Sequence, residues 1–368
     1  VWIDLCFHFH ILSCVAMVNI LAFESFDGGS HKQFRKTLAM HSSHNWHWVT
    51  LPPKDWKWRM TIGAKELLTR AEREGCLDQV PDVIFVTSLV DAAALRALLP
   101  EQLRNIPLVL YMHENQVAYP THDARDATFA LINLNSVLCA DKVLWNSQWN
   151  LDSFLSGIEA LLSHTNHTLQ AVDNQIKAKS TIAWVPVEEP PTIARKQSND
   201  DFMRVVWPHR WEHDKGPDEL LEIARKHTKQ HNIKWILLGE QFRNTPHALQ
   251  SFLNEFKDDI EHSGFVKSKC KYWEFLLKAD WVLSTAKHEF FGIAVVEALL
   301  AGCKPWIPDR LSYQEIIPDC AKNCSPSNDL NKTQMQAIQQ HLQNAHPLQA
   351  TSHIDSVLDL TALSNLTQ

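Results

Sequence analysis

Excess positive charge is the first thing this 368-residue chain lacks: 35 Lys and Arg against 42 Asp and Glu leave a formal net charge of −7. A protein that coats nucleic acid through bulk electrostatics needs clustered cations, so that class is excluded, while a local basic patch is not. The eight cysteines include no Cys-x-x-Cys pair, and Cys320…Cys324 has no matching second half. Neither a zinc site nor a disulfide framework is indicated, and a reducing, cytoplasmic setting is expected. No Gly-x-Gly-x-x-Gly follows the first apolar run, which removes a Rossmann dehydrogenase. There is no polar low-complexity tract and no basic amphipathic helix suited to a membrane surface. Residues 1–16 are apolar but carry Asp4, His8 and His10, lack a basic flank and are too short to cross a bilayer. Because the chain begins with Val and Met stands at position 17, they are expected to be an upstream extension, with no export signal.

What is present is enough apolar residue, 45%, for sizeable cores, and a length that suits two α/β domains of roughly 150 to 200 residues each. Val18–Phe23 reads as a buried parallel strand that runs into Gly28-Gly29 and a helix-competent stretch. Strands at 82–86, 108–112 and 142–145 alternate with helices at 91–99 and 128–139. Pro186, Pro190 and Pro191 interrupt regular structure. A second series follows, with strands at 204–207, 233–238 and 280–284 and helices at 218–231, 247–256, 272–278 and 293–300. The expected organisation is a first domain over 17–190, a second over 191–345, and a tail or returning helix over 346–368. Twenty histidines raise the question of a metal at His41, His44 and His47, but Trp46 and Trp48 alternate there as in a strand, and no metal site is expected.

In open α/β sheets ligands sit beyond the carboxyl ends of strands, and the unusual residues of this chain collect in those loops. Glu289 and Glu297 stand eight positions apart around Phe290-Phe291-Gly292 and an apolar helix, whose N-terminus near Phe291 would present free N–H groups. A solvated Glu297 and a merely capping Glu289 form the bland alternative. Arg210 and Lys215 follow the first strand of the second series, and Glu240 and Phe265 follow later strands. In the first half, Lys54, Lys57 and Arg59 interleave with Trp56 and Trp58, either as a solvated face or as a nucleic-acid contact.

The EFFG and EALLAG segments around Glu289 and Glu297 resemble the signature of the retaining glycosyltransferases of family 4, which implies a GT-B fold of two doubly wound, Rossmann-like domains facing a central cleft. The resemblance implies that Glu289 holds hexose hydroxyls with the amides of Phe291 and Gly292, and that Glu297 holds the nucleotide ribose. It further implies that Arg210-x4-Lys215-Gly216 neutralises the departing diphosphate without a metal, that Gly28 and Gly29 approach the donor phosphates, that Glu240 and Phe265 flank the nucleotide, and that His113 reaches the anomeric centre. ESFDGGSHKQF (24–34), LYMHENQVAYP (110–120) and VLWNSQWNLDSF (143–154) resemble more narrowly the tRNA-queuosine α-mannosyltransferase branch of that family.

That branch implies GDP-mannose as donor and the cyclopentene-diol of queuosine in the anticodon of an aspartate tRNA as acceptor, with no cofactor, no metal, no membrane and no protein partner. His31, Lys32, Lys54, Trp56, Lys57, Trp58 and Arg59 would then seat the anticodon arm, the Trp56–Arg59 stretch acting as a loop, with Asn115 and Gln116 near the modified base. The 14 tryptophans would supply stacking planes. A family 4 enzyme with a lipid or saccharide acceptor, and a non-catalytic nucleotide-sugar-binding protein, remain the alternatives.

Overall fold

The computed structural model describes residues 17–119, 126–163, 172–192, 201–241 and 245–366; the segment 1–16 lies outside them. The first half runs β1 (Asn19–Glu24), α1 (Gly29–His41), β2 (Asn45–Thr50), α2 (Trp56–Arg73), β3 (Val83–Thr87), α3 (Ala92–Leu98), β4 (Leu108–Met112), α4 (Asp126–Cys139), β5 (Lys142–Trp145), α5 (Gln148–Ser163), α6 (Val172–Ala178) and β6 (Ser180–Ile182). Its strands form one parallel sheet in the order β2-β1-β3-β4-β5-β6.

The second half runs β7 (Met203–Pro208), α7 (Pro217–His227), β8 (Ile233–Leu238), α8 (His247–Glu255), β9 (Ile260–Gly264), α9 (Lys269–Lys278), β10 (Trp281–Leu283), α10 (Ile293–Leu300), β11 (Lys304–Trp306), α11 (Tyr313–Ile316), α12 (Lys332–His341) and α13 (Pro347–Leu366). Its sheet, also parallel, has the order β11-β10-β7-β8-β9. Helix α13 returns to the first half and packs on α1, where Asp355 accepts hydrogen bonds from Ser42 Oγ at 2.7 Å and Ser43 N at 2.8 Å.

Local sequence explains these elements. VIFVT in β3 and LVLYM in β4 are buried throughout, because central strands with helices on both faces have no solvent side. At the sheet edge, β2 alternates; Trp46 and Trp48 share a face and stack at 5.2 Å, so His44 and His47 do not converge as ligands. His44 lies instead 3.5 Å from Asp359, and His47 Nε2 lies 2.9 Å from Cys76 Sγ. Helix α7 starts at Pro217 after left-handed Gly216, carries Asp218 and Glu219 in its first turn and ends in Arg225, Lys226 and His227, in keeping with the helix dipole.

The tryptophan count needs a correction. Trp145, Trp207, Trp211 and Trp235 are fully buried, and burying such a side chain contributes more than the ~1.5–3 kcal/mol of a smaller apolar one. These rings are core and offer no face to a base, whereas Trp58 is 66% exposed.

Each sheet reverses its strand order once near its middle, between β1 and β3 in the first and between β7 and β10 in the second. Such a reversal opens a crevice beyond the carboxyl ends of the strands. The two crevices face each other: Ser147 Oγ, just past β5, donates to Phe290 O at 2.5 Å, and the Tyr119 ring lies 4.3 Å from that of His288.

Candidate active site in the cleft

Glu24, the last residue of β1, is fully buried. Its Oε1 accepts Phe26 N–H at 2.7 Å, and its Oε2 lies 2.9 Å from Nδ1 of His31 on α1. The ring of His31 stands 4.2 Å from that of His113, which follows β4 and is also bounded by Phe34 and Tyr111. Burial alone would lower the His31 pKa, but Glu24, with smaller contributions from Glu114 and Asp27, raises it above its ordinary value. Burial, then the neighbouring His31, holds His113 well below the usual imidazole range. His113 is therefore neutral at pH 7, and its buried Nε2 has no hydrogen-bond partner.

A set of asparagines shapes the backbone here. Asn146 Nδ2 donates to His113 O at 2.7 Å, and Asn150 Nδ2 donates to Met112 O at 2.9 Å. Asn115 Nδ2 donates to Asn150 Oδ1 at 2.8 Å while its own Oδ1 accepts Ala118 N–H at 2.8 Å. Gln116 N–H is held by Asn133 Oδ1 at 2.7 Å.

The facing half supplies charge. Lys215 is buried; its Nζ donates to His288 O at 2.8 Å and lies 3.1 Å from Asp214 and 3.4 Å from Glu289. Burial would lower the Lys215 pKa, but Glu289 and Asp214 outweigh it and raise the value. Conversely, burial would raise the Glu289 pKa, and Lys215 brings it below its ordinary value. The pair is thus fully ionised at neutral pH. His209 and His288 beside it are pushed down to about 3 and about 4, by burial first and Lys215 second. Arg210 is half-exposed, with Glu212 3.2 Å away.

Two glycines make this packing feasible. A Cβ on Gly216 would come 2.0 Å from Thr285 O, and Gly292, at φ +90°, brings Tyr313 within 2.9 Å of where a Cβ would stand. Helix α10 runs Ile293–Leu300, the span expected from the sequence, with Gly292 in the left-handed region as its N-cap. Glu297 on α10 is buried and not solvated: it accepts from Lys269 Nζ at 2.6 Å, Tyr272 OH at 2.7 Å and, across the cleft, Gln33 Nε2 at 3.0 Å.

This geometry is a closed, charged cleft between two parallel α/β units, and comparison with known proteins says whose it is. Residues 19–187 match the family described as tRNA-queuosine alpha-mannosyltransferase N-terminal, and residues 189–345 match Glycosyl transferases group 1. A Drosophila melanogaster tRNA-queuosine alpha-mannosyltransferase is 33% identical over 321 residues, covering 83% of each chain. The chain belongs to the tRNA-queuosine alpha-mannosyltransferase family.

It is a glycosyltransferase with the GT-B fold. Among solved structures, the catalytic domain of starch synthase IV from Arabidopsis thaliana, bound to ADP and acarbose, is similar with a TM-score of 0.65 at 9% identity, over 96% of this chain and 100% of that one. Anabaena HepE in complex with UDP and glucose gives 0.57 at 15%, over 95% and 99%.

Within this family member the expected site residues separate into groups. Glu289 and Lys215 pair in the second half beside Phe291 and Gly292, Glu297 lies farther along α10 against Lys269 and Tyr272, Arg210 is half-exposed after β7, and His113 lies in the first half. Glu240 and Phe265 are exposed at loops after β8 and β9. Gly28 and Gly29 open α1, but Gly28 is demanded by Pro53, 2.4 Å from where its Cβ would lie, and Gly29 by a φ of +50°; crowding of a ligand is not needed to explain either.

The acceptor-side expectations need the most correction. His31 is buried against Glu24 and cannot touch an RNA, and Asn115 is fully buried with its amide engaged inside the first half, so it shapes the loop. Gln116 is buried as well. The Trp56–Arg59 stretch is the first turn of α2, not a loop. Trp56 packs on Phe129 and Arg59 pairs with Glu66, which leaves Lys32, Lys54, Lys57 and Trp58 exposed.

Sequence reasoning missed Glu24, Asn133 and Asn150. Glu24 closes an apolar strand, and a carboxylate there signals either a solvated loop or a buried site. Among the described residues Glu24, His31 and His113 bring ligand atoms within 4.8 Å, but Glu24 and His31 engage each other, and we read them as an ion pair. No helix of the described residues is long and apolar enough to cross a membrane.

Proposed function

We propose that this chain transfers mannose from GDP-mannose to the cyclopentene-diol of queuosine in the anticodon of an aspartate tRNA, with retention of the α configuration and without a metal. The observation that carries the donor half of this reading is the buried Lys215–Glu289 pair beside the N-terminus of α10. Lys215 and Arg210 neutralise the diphosphate as the glycosidic bond breaks, which is electrostatic stabilisation of a leaving group. Glu289, kept ionised, accepts hydrogen bonds from hexose hydroxyls, and Glu297 accepts them from the ribose once Gln33 or Lys269 yields. We assign no covalent nucleophile; the hydroxyl attacks from the face the diphosphate leaves, and a phosphate oxygen accepts its proton.

The acceptor reading rests on the relatives, whose name specifies tRNA queuosine. Lys32 on α1 and Lys54, Lys57 and Trp58 around the start of α2 are exposed, and such basic and aromatic side chains suit phosphates and an unstacked base. The 17–190 and 191–345 segments are proposed as acceptor and donor domains in a cytoplasmic enzyme.

A donor panel tests this. Queuosine-containing tRNA is incubated with the chain and, in turn, GDP-mannose, GDP-fucose, UDP-galactose and UDP-glucose, and the modified nucleoside is isolated for NMR. Transfer from GDP-mannose with an α-configured anomeric proton is expected; a β product, or preference for a UDP-sugar, overturns the donor or the stereochemical claim.

A further inference from the structure

We infer that Glu24 and His31 are positioning residues for His113: they hold its imidazole in one orientation on the cleft floor, with Nε2 left to meet a hydroxyl of the transferred hexose. The inference deepens the reading above and rests on it for the identity of that hydroxyl.

Burial makes the arrangement informative. The side chains of Glu24 and His31 are 1% and 7% exposed. A carboxylate and an imidazole removed from water this far recover their desolvation cost only in a good mutual geometry, and apolar residues of similar size would stabilise the unit as well. A purely structural role therefore gives no reason for choosing this pair.

The geometry leads to His113. Its ring is enclosed by His31 at 4.2 Å, Phe34 at 4.6 Å and nearly perpendicular, and Tyr111 at 4.7 Å. Its carbonyl is fixed by Asn146. Ring and backbone are thus both held, yet Nε2 is buried with no partner. An unmet buried nitrogen carries an uncompensated desolvation cost, which a ligand hydroxyl in the cleft would offset.

Charge completes the arrangement. The ionisable groups facing His31 are Glu24 from β1, Asp27 from the loop after it, and Glu114 and His113 from the segment after β4. Three carboxylates favour a protonated His31, and that cation disfavours a second one on His113. Burial first, and the charge favoured on His31 second, keep His113 neutral, so that it presents an uncharged hydrogen-bonding edge to the sugar. As pH rises through the raised His31 pKa the cation is lost, and with it the positive charge that stands behind the His113 ring.

The test uses the full chain and two readouts. ¹⁵N-histidine NMR, assigned with His31→Asn and His113→Asn variants, is expected to show a doubly protonated His31 and a neutral His113 at neutral pH, and a neutral His31 in Glu24→Gln. A neutral His31 in the unmodified chain overturns the inference whether or not any transfer is detected. Where hexose transfer to queuosine tRNA is observed, Glu24→Gln is expected to move the alkaline limb of kcat to lower pH. Glu24→Asp is expected to recover part of that shift, and GDP affinity to stay within about twofold. A Glu24→Gln profile superimposable on that of the unmodified chain overturns the positioning role. Failure of the unmodified chain to transfer any hexose defeats the preceding reading and leaves the spectra to decide this one.

Discussion

Gln33 on α1 donates to Glu297 on α10 at 3.0 Å, joining residues 264 positions apart across the cleft. Glu297 also carries Lys269 and Tyr272, so one buried carboxylate ties the second half to the first. Gln33→Ala removes the cross-cleft donor and leaves the other two. Loss of one hydrogen bond to a charged group corresponds to about 1.5–3 kcal/mol at most. A lower KM for the sugar donor and a parallel gain in GDP affinity are expected, because Gln33 no longer competes with the ribose for Glu297, and small-angle scattering is expected to show a more open particle.

Lys215→Ala leaves Glu289 and Asp214 as partly buried negative charges without their cation. Removing a preformed electrostatic partner of a leaving group costs about a hundredfold to a thousandfold in kcat. Single-turnover kinetics check the rate. Thermal unfolding is expected to show a loss of stability as well, since the stranded carboxylates remain desolvated.

Gly292→Ala is expected to destabilise the chain by about 1–3 kcal/mol, because φ is +90° there and a Cβ would meet the Tyr313 ring. Denaturant unfolding measures this. Gly292→Ala is also expected to weaken donor binding, because the residue caps α10 beside Glu289.

Glu315 of α11 accepts the Gln148 N–H at the start of α5 through both carboxylate oxygens, at 2.9 and 3.1 Å, and burial raises its pKa to about 7. A carboxyl group whose folded pKa is raised holds its proton in the native state after the unfolded chain has released it. Stability linked to this group is therefore present below about pH 4.5 and falls as pH rises toward about 7, by an amount on the order of 3 kcal/mol. Glu315→Gln is expected to flatten that part of the stability profile, as followed by thermal unfolding at a series of pH values.

Lys54 and Lys57 are exposed, and Lys57 lies over the Trp56 ring. Replacing both by Ala is expected to weaken tRNA binding about threefold to tenfold at physiological salt and to reduce the salt slope by roughly two, with GDP-mannose binding unchanged. Equal loss of both ligands would show that the lysines support the fold.

How far the sequence could be read follows from what each pattern encodes. The β3, β4 and β8 strands were legible because a parallel strand covered on both faces must be a run of apolar residues. The edge strands β6 and β11, each three residues long, carry too little pattern to stand out. Lys215 and Glu289 were each legible as site residues through their resemblance to family motifs, but the pair they form across 74 residues was not. Burial was not legible: Glu24 and His31 look like a strand end and a surface helix residue, and Asn115 like a base-reading amide, until tertiary packing encloses them. Composition misled in the same way, since most of what fourteen tryptophans could offer to RNA lies in the core.

The most direct test of the central claim is to incubate the purified chain with GDP-mannose and tRNA that either contains or lacks queuosine, and to weigh the digested nucleosides by mass spectrometry. A hexose-mass gain on queuosine, and on no other nucleoside, is predicted. No gain on queuosine while GDP still binds, or an equal gain on tRNA lacking queuosine, would contradict it.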